Sequence, residues 1–292
     1  MKMSKEVANT KKALLVVSTV FDQLIEEEDL GLDFKIDELK IPYIGQVQQA
    51  SKCLIKKNER YIEGIELGDI YNNVTGQFWK GDEGIKFVVC ARERVYLVKN
   101  TSPEGGTLEQ LPETDERVRK LKSMGPRGGN QMPLTEETEL CKTDRFYVLI
   151  LDESGARIPG LLECSKSKLA ASEQTMSIMA NLAKHKREWT DEEISFAKEH
   201  GKKIDKGQKL TPAMWTSVWH YTSVEAVNKD GRPYQNFKVK FDSHIHITEE
   251  NTGLLNEIKE FGSSVVSGDV SLAEDNPTED SLRGEPEQHS AF

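Results

Sequence analysis

"MWTSVWHYTSVEAV", Met214 to Val227, places two tryptophans and a tyrosine within seven positions of a chain that is only 7% aromatic. Its β-branched neighbours favour a strand. On a strand Trp215, Ser217, Trp219 and Tyr221 share one face, and Thr216, Val218, His220 and Thr222 share the other. Asp230-Gly231 follows, and then the alternating run "PYQNFKVKFDSHIHI" from Pro233 to Ile247. Two such runs around Asp-Gly are the signature of a β-hairpin.

The length of the hairpin loop decides where the rings go. A two-residue turn sets Lys229 against Arg232, Tyr221 against Lys240, Trp219 against Asp242 and Trp215 against His246. The rings then stand beside Lys238, Lys240, His244 and His246, and Val218, Val224, Phe237, Val239, Phe241 and Ile245 form the core face. A four-residue loop keeps this register. A loop of three or five residues slips it by one and moves the rings onto the apolar side. The even loop is the expectation adopted, and it makes one sheet face both aromatic and cationic. Such a face suits single-stranded nucleic acid, because bases stack on rings for about 1 to 3 kcal/mol each while ammonium groups neutralise phosphates. The competing reading is a tryptophan-rich face covered by a helix.

Outward from the hairpin, the sequence predicts further strands and helices. Tyr61 to Asn100 is rich in Val, Ile, Tyr, Phe and Trp and is cut by Gly and Asn, so it reads as consecutive short strands, with "WKGDEGIKFVVC" a turn feeding a central one. "DRFYVLILDESGARIPGLLEC" reads as a second hairpin. From Ser165 the period changes, and Leu169, Ser172, Met176, Met179, Leu182 and Ala183 fall on one face of a helix packed on the sheet. "TDEEISFAKEHGKK" predicts a short helix with Thr190 and Glu193 as a capping box, and "TGLLNEIKEFGSSVVSG" a final one. Gly105 to Thr138 reads as a long mobile excursion with a basic stripe of Arg117, Arg119, Lys120, Lys122 and Arg127. "KKALLVVSTVFDQLIEEEDLG" leans helical. The sum is a β-rich α+β protein.

Composition narrows the function. The formal charge is −10, but Asp269 to Phe292 carries seven acids against Arg283 alone. Any binding of nucleic acid must therefore come from a local patch. That tail lacks periodicity and reads as disordered. Cys53, Cys90, Cys141 and Cys164 lie far apart with no C-x-x-C pair, which predicts reduced, buried thiols and no zinc knuckle or disulfide framework. The longest apolar run, "ALLVVSTVF" at Ala13 to Phe21, is under half a membrane span and leads into "IEEEDL" instead of a cleavage site, so neither a signal peptide nor a membrane helix is expected. Asp242, His244 and His246 alternate onto one strand face like a three-ligand metal set. Surface histidines beside acids are the plainer reading, and no metal or cofactor is expected.

"YIEGIELGDIYNNVTGQFWKGDEGIKFVVC", "CSKSKLAASEQTMSIMANL" and "TPAMWTSVWHYTS" with "NKDGRPYQNFKVKF" resemble, in order, a family of tailed-bacteriophage proteins from replication and recombination gene clusters associated with single-stranded DNA binding. The likeness spans roughly Tyr61 to Asp269. Where members carry a Thr-Gln pair after the second hairpin, this chain reads "SKSKLAAS". The resemblance implies an OB-like, five-stranded antiparallel barrel elaborated with helices. It also implies a tail, ending here at Phe292, that mimics the polyanion and recruits partners.

Residues 1–57 are expected to form a mixed extension, 58–268 an OB-like core and 269–292 a disordered acidic tail. The protein is expected to bind single-stranded DNA without being an enzyme, through Trp215, Trp219, Tyr221, Trp79 and Tyr96 on bases and Arg92, Arg94, Lys99, Lys238 and Lys240 on phosphates. Phe292 is the expected contact for phage replication or recombination proteins, homo-oligomers are admitted, no membrane is involved, and the location is the host cytoplasm. A phage structural or scaffold component is the alternative, and a metal-dependent nuclease on Asp242, His244 and His246 a more distant one.

Overall fold

The computed structural model describes residues 39–49, 51–101, 106–125, 129–205, 207–227, 231 and 233–272. In chain order its strands are β1 (Leu39–Ile41), β2 (Ile44–Gln46), β3 (Ile70–Asn72), β4 (Phe78–Trp79), β5 (Ile85–Asn100), β6 (Thr107–Leu111), β7 (Gln131–Pro133), β8 (Thr138–Leu151), β9 (Arg157–Ser165), β10 (Arg187–Glu188), β11 (Lys209–Leu210), β12 (Ser217–Val227), β13 (Pro233–His244) and β14 (Val270–Leu272). The helices are α1 (Glu116–Ser123), α2 (Ser167–Lys184), α3 (Asp191–Glu199) and α4 (Thr252–Ser267). The chain is α+β and strand-rich, as expected.

The central strand is β5, whose β-branched and aromatic run "IKFVVCARERVYLVKN" suits a strand buried on both faces. The chain enters it through Gly84 at φ +74°, where an added Cβ would lie 2.1 Å from the Tyr221 carbonyl oxygen, so only glycine fits. β5 pairs antiparallel with β8 from Phe87↔Ile150 to Asn100↔Thr138, with a bulge between Val89 and Ala91. On its other edge β12 pairs with Ile85–Val88 and β6 with Tyr96–Lys99. The sheet runs β13-β12-β5-β8-β7, with β9 also on β8.

This seven-stranded sheet is not closed into a barrel, which corrects the OB-like, five-stranded expectation. The outer edge of β13 is met by a side chain instead of a closing strand. The Gln48 amide donates to the Gln235 carbonyl and accepts from the Gln235 N–H, at 2.8 and 3.0 Å. That satisfies an edge without pairing it. Helices, not a curled sheet, cover the apolar faces. α2 lies over Phe87, Phe146, Val148, Leu162, Phe237 and Val239, while α3 and α4 lie over Val88, Cys90, Leu149 and Val218. Each such side chain contributes about 1.5 to 3 kcal/mol on full burial. α4 crosses Cys90 so closely that a Cβ on Gly262 would sit 2.7 Å from its carbonyl oxygen.

The helix facing read from Leu169, Ser172, Met176, Met179 and Leu182 is found, with Leu169, Ser172 and Met179 buried. The Thr190/Glu193 capping box and the β8–β9 hairpin are found too. The excursion at 105–138 is more structured than expected, because β6, α1 and β7 lie within it and Val118 and Leu121 bury fully against Tyr96, Val98 and Leu140. Its basic stripe is largely spent on neighbours: Arg117 pairs with Asp115 and Glu109, Lys122 with Glu113, and Arg119 donates to the Thr114 carbonyl. Arg127 lies outside the described residues.

Residues 39–49 and 51–57 are part of the folded unit, since β2 pairs with β3, β1 pairs in parallel with β14, and Cys53 is buried against Val47 and Ile65. Val270–Leu272, read from sequence as the start of the tail, are that partner strand. The helical reading of Lys11 to Gly31 and the tail beyond Leu272 lie outside the described residues. Among the described residues no helix is long and apolar enough to cross a membrane.

Candidate nucleic-acid interface

Five residues separate the last paired positions of the β12–β13 hairpin, Val227 and Pro233, so the loop is odd. Tyr221 therefore faces Val239 instead of Lys240, and Trp219 faces Phe241 instead of Asp242. This corrects the even-loop register, by the parity rule that a one-residue slip turns every side chain over. A bulge between Val218 and Trp219 takes up the slip, and beyond it Val218 pairs with Ser243 and Ser217 with His244. Trp215 precedes the strand, in a single 3-10 turn at Met214–Thr216, and packs partly buried on the α3/α4 side of the sheet.

The rings accordingly build core. Trp219 is 1% and Tyr221 4% exposed. Tyr221 stacks on Phe237 at 5.0 Å between centroids, and Trp219 meets Phe241 edge-on at 5.8 Å. Neither offers a face to a base in this conformation.

The opposite face of the hairpin is left open to solvent. Lys86, His220 and Lys240 lie in one cross-strand row, Thr222 and Lys238 in the next, then Val224 with Asn236 and Ala226 with Tyr234. Lys238 and Lys240 are exposed, and among the described residues neither has a carboxylate at ion-pair distance. Lys86 pairs with Asp242 at 3.0 Å, an interaction that holds the Asp242 carboxyl below its ordinary value. His220 is fixed by a 2.7 Å contact with the Glu83 carbonyl. With three lysines against one aspartate, this face carries surplus positive charge on a protein that is acidic overall.

The remaining expected contacts do not join this face. Trp79 on β4 is partly buried and donates its indole N–H to Asp152 at 3.3 Å. Tyr96 is buried under α1, and Lys99, 2% exposed, bonds to Glu163 and Ser165. Lys99 belongs to an interior network in which Arg145 also reaches Glu163, at 3.1 Å, while Glu93 takes the Tyr147 hydroxyl. Burial, offset in part by Arg145, raises the Glu93 pKa. Arg92 and Arg94 share Asp144 on the side of the sheet that α2 covers, away from the lysine rows. Phe292 lies outside the described residues.

The Asp242, His244 and His246 set is drawn in three directions. Asp242 goes to Lys86, His244 contacts the Ser217 hydroxyl at 3.3 Å, and His246 lies 3.7 Å from Glu193. Burial, with Arg187 and His246 nearby, lowers the His244 pKa. Sequence reading missed Lys86, His220 and Tyr234 as members of the exposed face. Their signal was present in "NFKVKF", whose own alternation sets Phe237, Val239 and Phe241 apart from Lys238 and Lys240.

Residues 10–271 match a family model described as Pam3 phage gp34-like protein. No curated protein and no solved structure matches the chain.

Proposed function

The chain belongs to the Pam3 phage gp34-like protein family, a bacteriophage family, and on that premise we propose that it binds single-stranded DNA, without catalysis, in phage replication or recombination. The observation that carries this reading is the pair Lys238 and Lys240, exposed and without a carboxylate partner among the described residues, flanked in register by His220 and Lys86. Alternate residues on a strand point to the same side at intervals of about 6.6 Å, so the two ammonium groups form a short cationic track. Such a track contacts phosphates whatever the base sequence. Tyr234, two rows along, supplies a ring for a base on the same face.

The acidic segment beyond Leu272, with six acids against Arg283 alone, is proposed to compete with DNA for this track and to recruit partner proteins. Its charge explains how an acidic protein is kept from binding polyanions indiscriminately.

The test is anisotropy of a fluorescent oligo-dT titrated with wild-type protein and with the Lys238→Ala/Lys240→Ala variant across a range of salt. Affinity of the wild type should fall with salt. The variant should lose about 0.7 of the log–log salt slope for each lost phosphate contact. Binding that ignores salt, or that is equal for single and double strands, would sink the reading.

A further inference from the structure

We infer a second phosphate-binding position at Arg92, on the face of the sheet opposite Lys238 and Lys240; it rests on the single-stranded DNA reading and extends it. The Asp144 side chain is fully buried. Its Oδ1 accepts from Arg92 Nη2 at 2.9 Å and Arg94 Nε at 2.7 Å, and its Oδ2 accepts from Arg94 Nη2 at 3.1 Å and the Ser172 hydroxyl at 2.9 Å. Each carboxylate oxygen thus has two donors, which fills its usual accepting capacity. Arg94 spends its fork on this carboxylate bidentately. Arg92 gives it a single N–H.

One aspartate cannot neutralise two guanidinium groups, so the cluster keeps one positive charge. Glu173, whose charge reaches Arg94, is engaged by Lys142 at 2.6 Å. The unmet donors sit on Arg92. Its Nε is enclosed and has no hydrogen-bond partner, and no second acceptor for its guanidinium is found among the described residues. Nε is the one Arg92 donor that is both enclosed and without an acceptor among the described residues, while Nη1 is open to an acceptor from solution.

Arg92 is also held still and left reachable. It packs over the Phe146 ring at 5.9 Å and donates to Asp144, two contacts that restrict its position. Its side chain is 28% exposed. Arg92 stands midway along the stretch of β5 between the end of the β12 pairing at Val88 and the start of the β6 pairing at Tyr96, where that edge has no strand partner among the described residues. A positioned guanidinium with one surplus charge and a free Nη1 fits an anionic oxygen, such as one of a phosphate, and repels a cation. The source of that phosphate is either the backbone of a bound strand or a free nucleotide.

Two titrations separate these sources, both on the full chain. The first measures a labelled oligo-dT of about 30 nucleotides against wild type and Arg92→Gln over a salt series. The second measures thymidine triphosphate by calorimetry with the same two proteins. The expected result is a variant that binds oligo-dT about tenfold more weakly and loses about 0.7 of the salt slope. Loss of the triphosphate signal alone supports the position with a nucleotide as its ligand. If oligo-dT binding is salt-sensitive and Arg92→Gln changes neither titration, the position is overturned while the reading of the protein stands. If wild type ignores oligo-dT but binds the triphosphate through Arg92, the reading falls and the position stands. Should Arg92→Gln fail to fold, Arg92→Met carries the test: it keeps an unbranched side chain against Phe146 without donor or charge, and unchanged oligo-dT and triphosphate binding would overturn the inference.

Discussion

Replacing Glu193 by glutamine removes a buried charge on which three parts of the chain converge. The carboxylate is fully buried and accepts from both Nη atoms of Arg187 at 2.7 and 2.5 Å, from the Ile247 N–H at 2.8 Å and from the Thr190 N–H at 3.0 Å. It therefore ties β10, the start of α3 and the chain just past β13. Burial alone would raise its pKa, but Arg187 and the two amides outweigh burial and bring it from 4.5 down to about 2. At about 1.4 kcal/mol per pH unit, that drop corresponds to roughly 3 kcal/mol of stability. Loss of one partner from a buried ion pair gives a similar figure, about 3 to 5 kcal/mol, because Arg187, only 14% exposed, would keep its charge without a counterion. The sign follows from the direction of the shift. A depressed carboxylate contributes in full above its unfolded value and loses that contribution as pH falls through the folded one. Equilibrium urea unfolding of wild type and Glu193→Gln should thus differ by about 3 kcal/mol at pH 7, and the difference should shrink toward zero as pH drops from 4.5 to about 2. A difference under about 1 kcal/mol at pH 7, or one that does not change with pH, refutes the reasoning.

Three further outcomes are expected. Trp219→Ala should cost about 3 to 5 kcal/mol through the cavity it leaves, while Trp219→Phe should fold and bind oligo-dT as wild type does; weakened binding in Trp219→Phe, measured by anisotropy, would mean the ring contacts DNA after all. A chain ending at Leu272 should bind oligo-dT more tightly than the full chain with little change in melting temperature, whereas one ending before Val270 should melt lower, since β14 is then missing from β1. All four cysteines are buried, and burial pushes the Cys53 and Cys90 thiols up, so a thiol-reactive disulfide reagent should find none of them until the protein is unfolded.

Much of the fold could be read from local pattern. The face of α2, the capping box at Thr190 and Glu193 and the hairpin around Asp152–Ala156 each depend on residues close in sequence, and each is found. What failed depended on a count that local pattern leaves open. Asp230-Gly231 signals a turn without fixing how many residues flank it, and the five-residue loop inverted the face assigned to Trp219 and Tyr221. Their burial was nevertheless implied by "FKVKF", because the apolar half of β13 must share a face with the apolar half of its partner. Barrel closure was illegible for a different reason: it is set by what meets the last edge, and here that is the side chain of Gln48, nearly two hundred residues from Gln235 in sequence. At the candidate site, Lys238 and Lys240 were legible from alternation. The pairing of Arg92 and Arg94 with Asp144 was not, because it joins strands about fifty residues apart.

The parallel pairing of β1 with β14 fixes how the molecule answers tension. The chain enters this pair at Leu39 and leaves it at Leu272, and because the two strands run the same way, those points lie at opposite ends of the pair. A pull between the two flanking segments loads the pair along its length. All of its hydrogen bonds then share the force at once, instead of opening one after another as in a hairpin pulled from its open end. The central sheet is shielded from the load until that clasp slides.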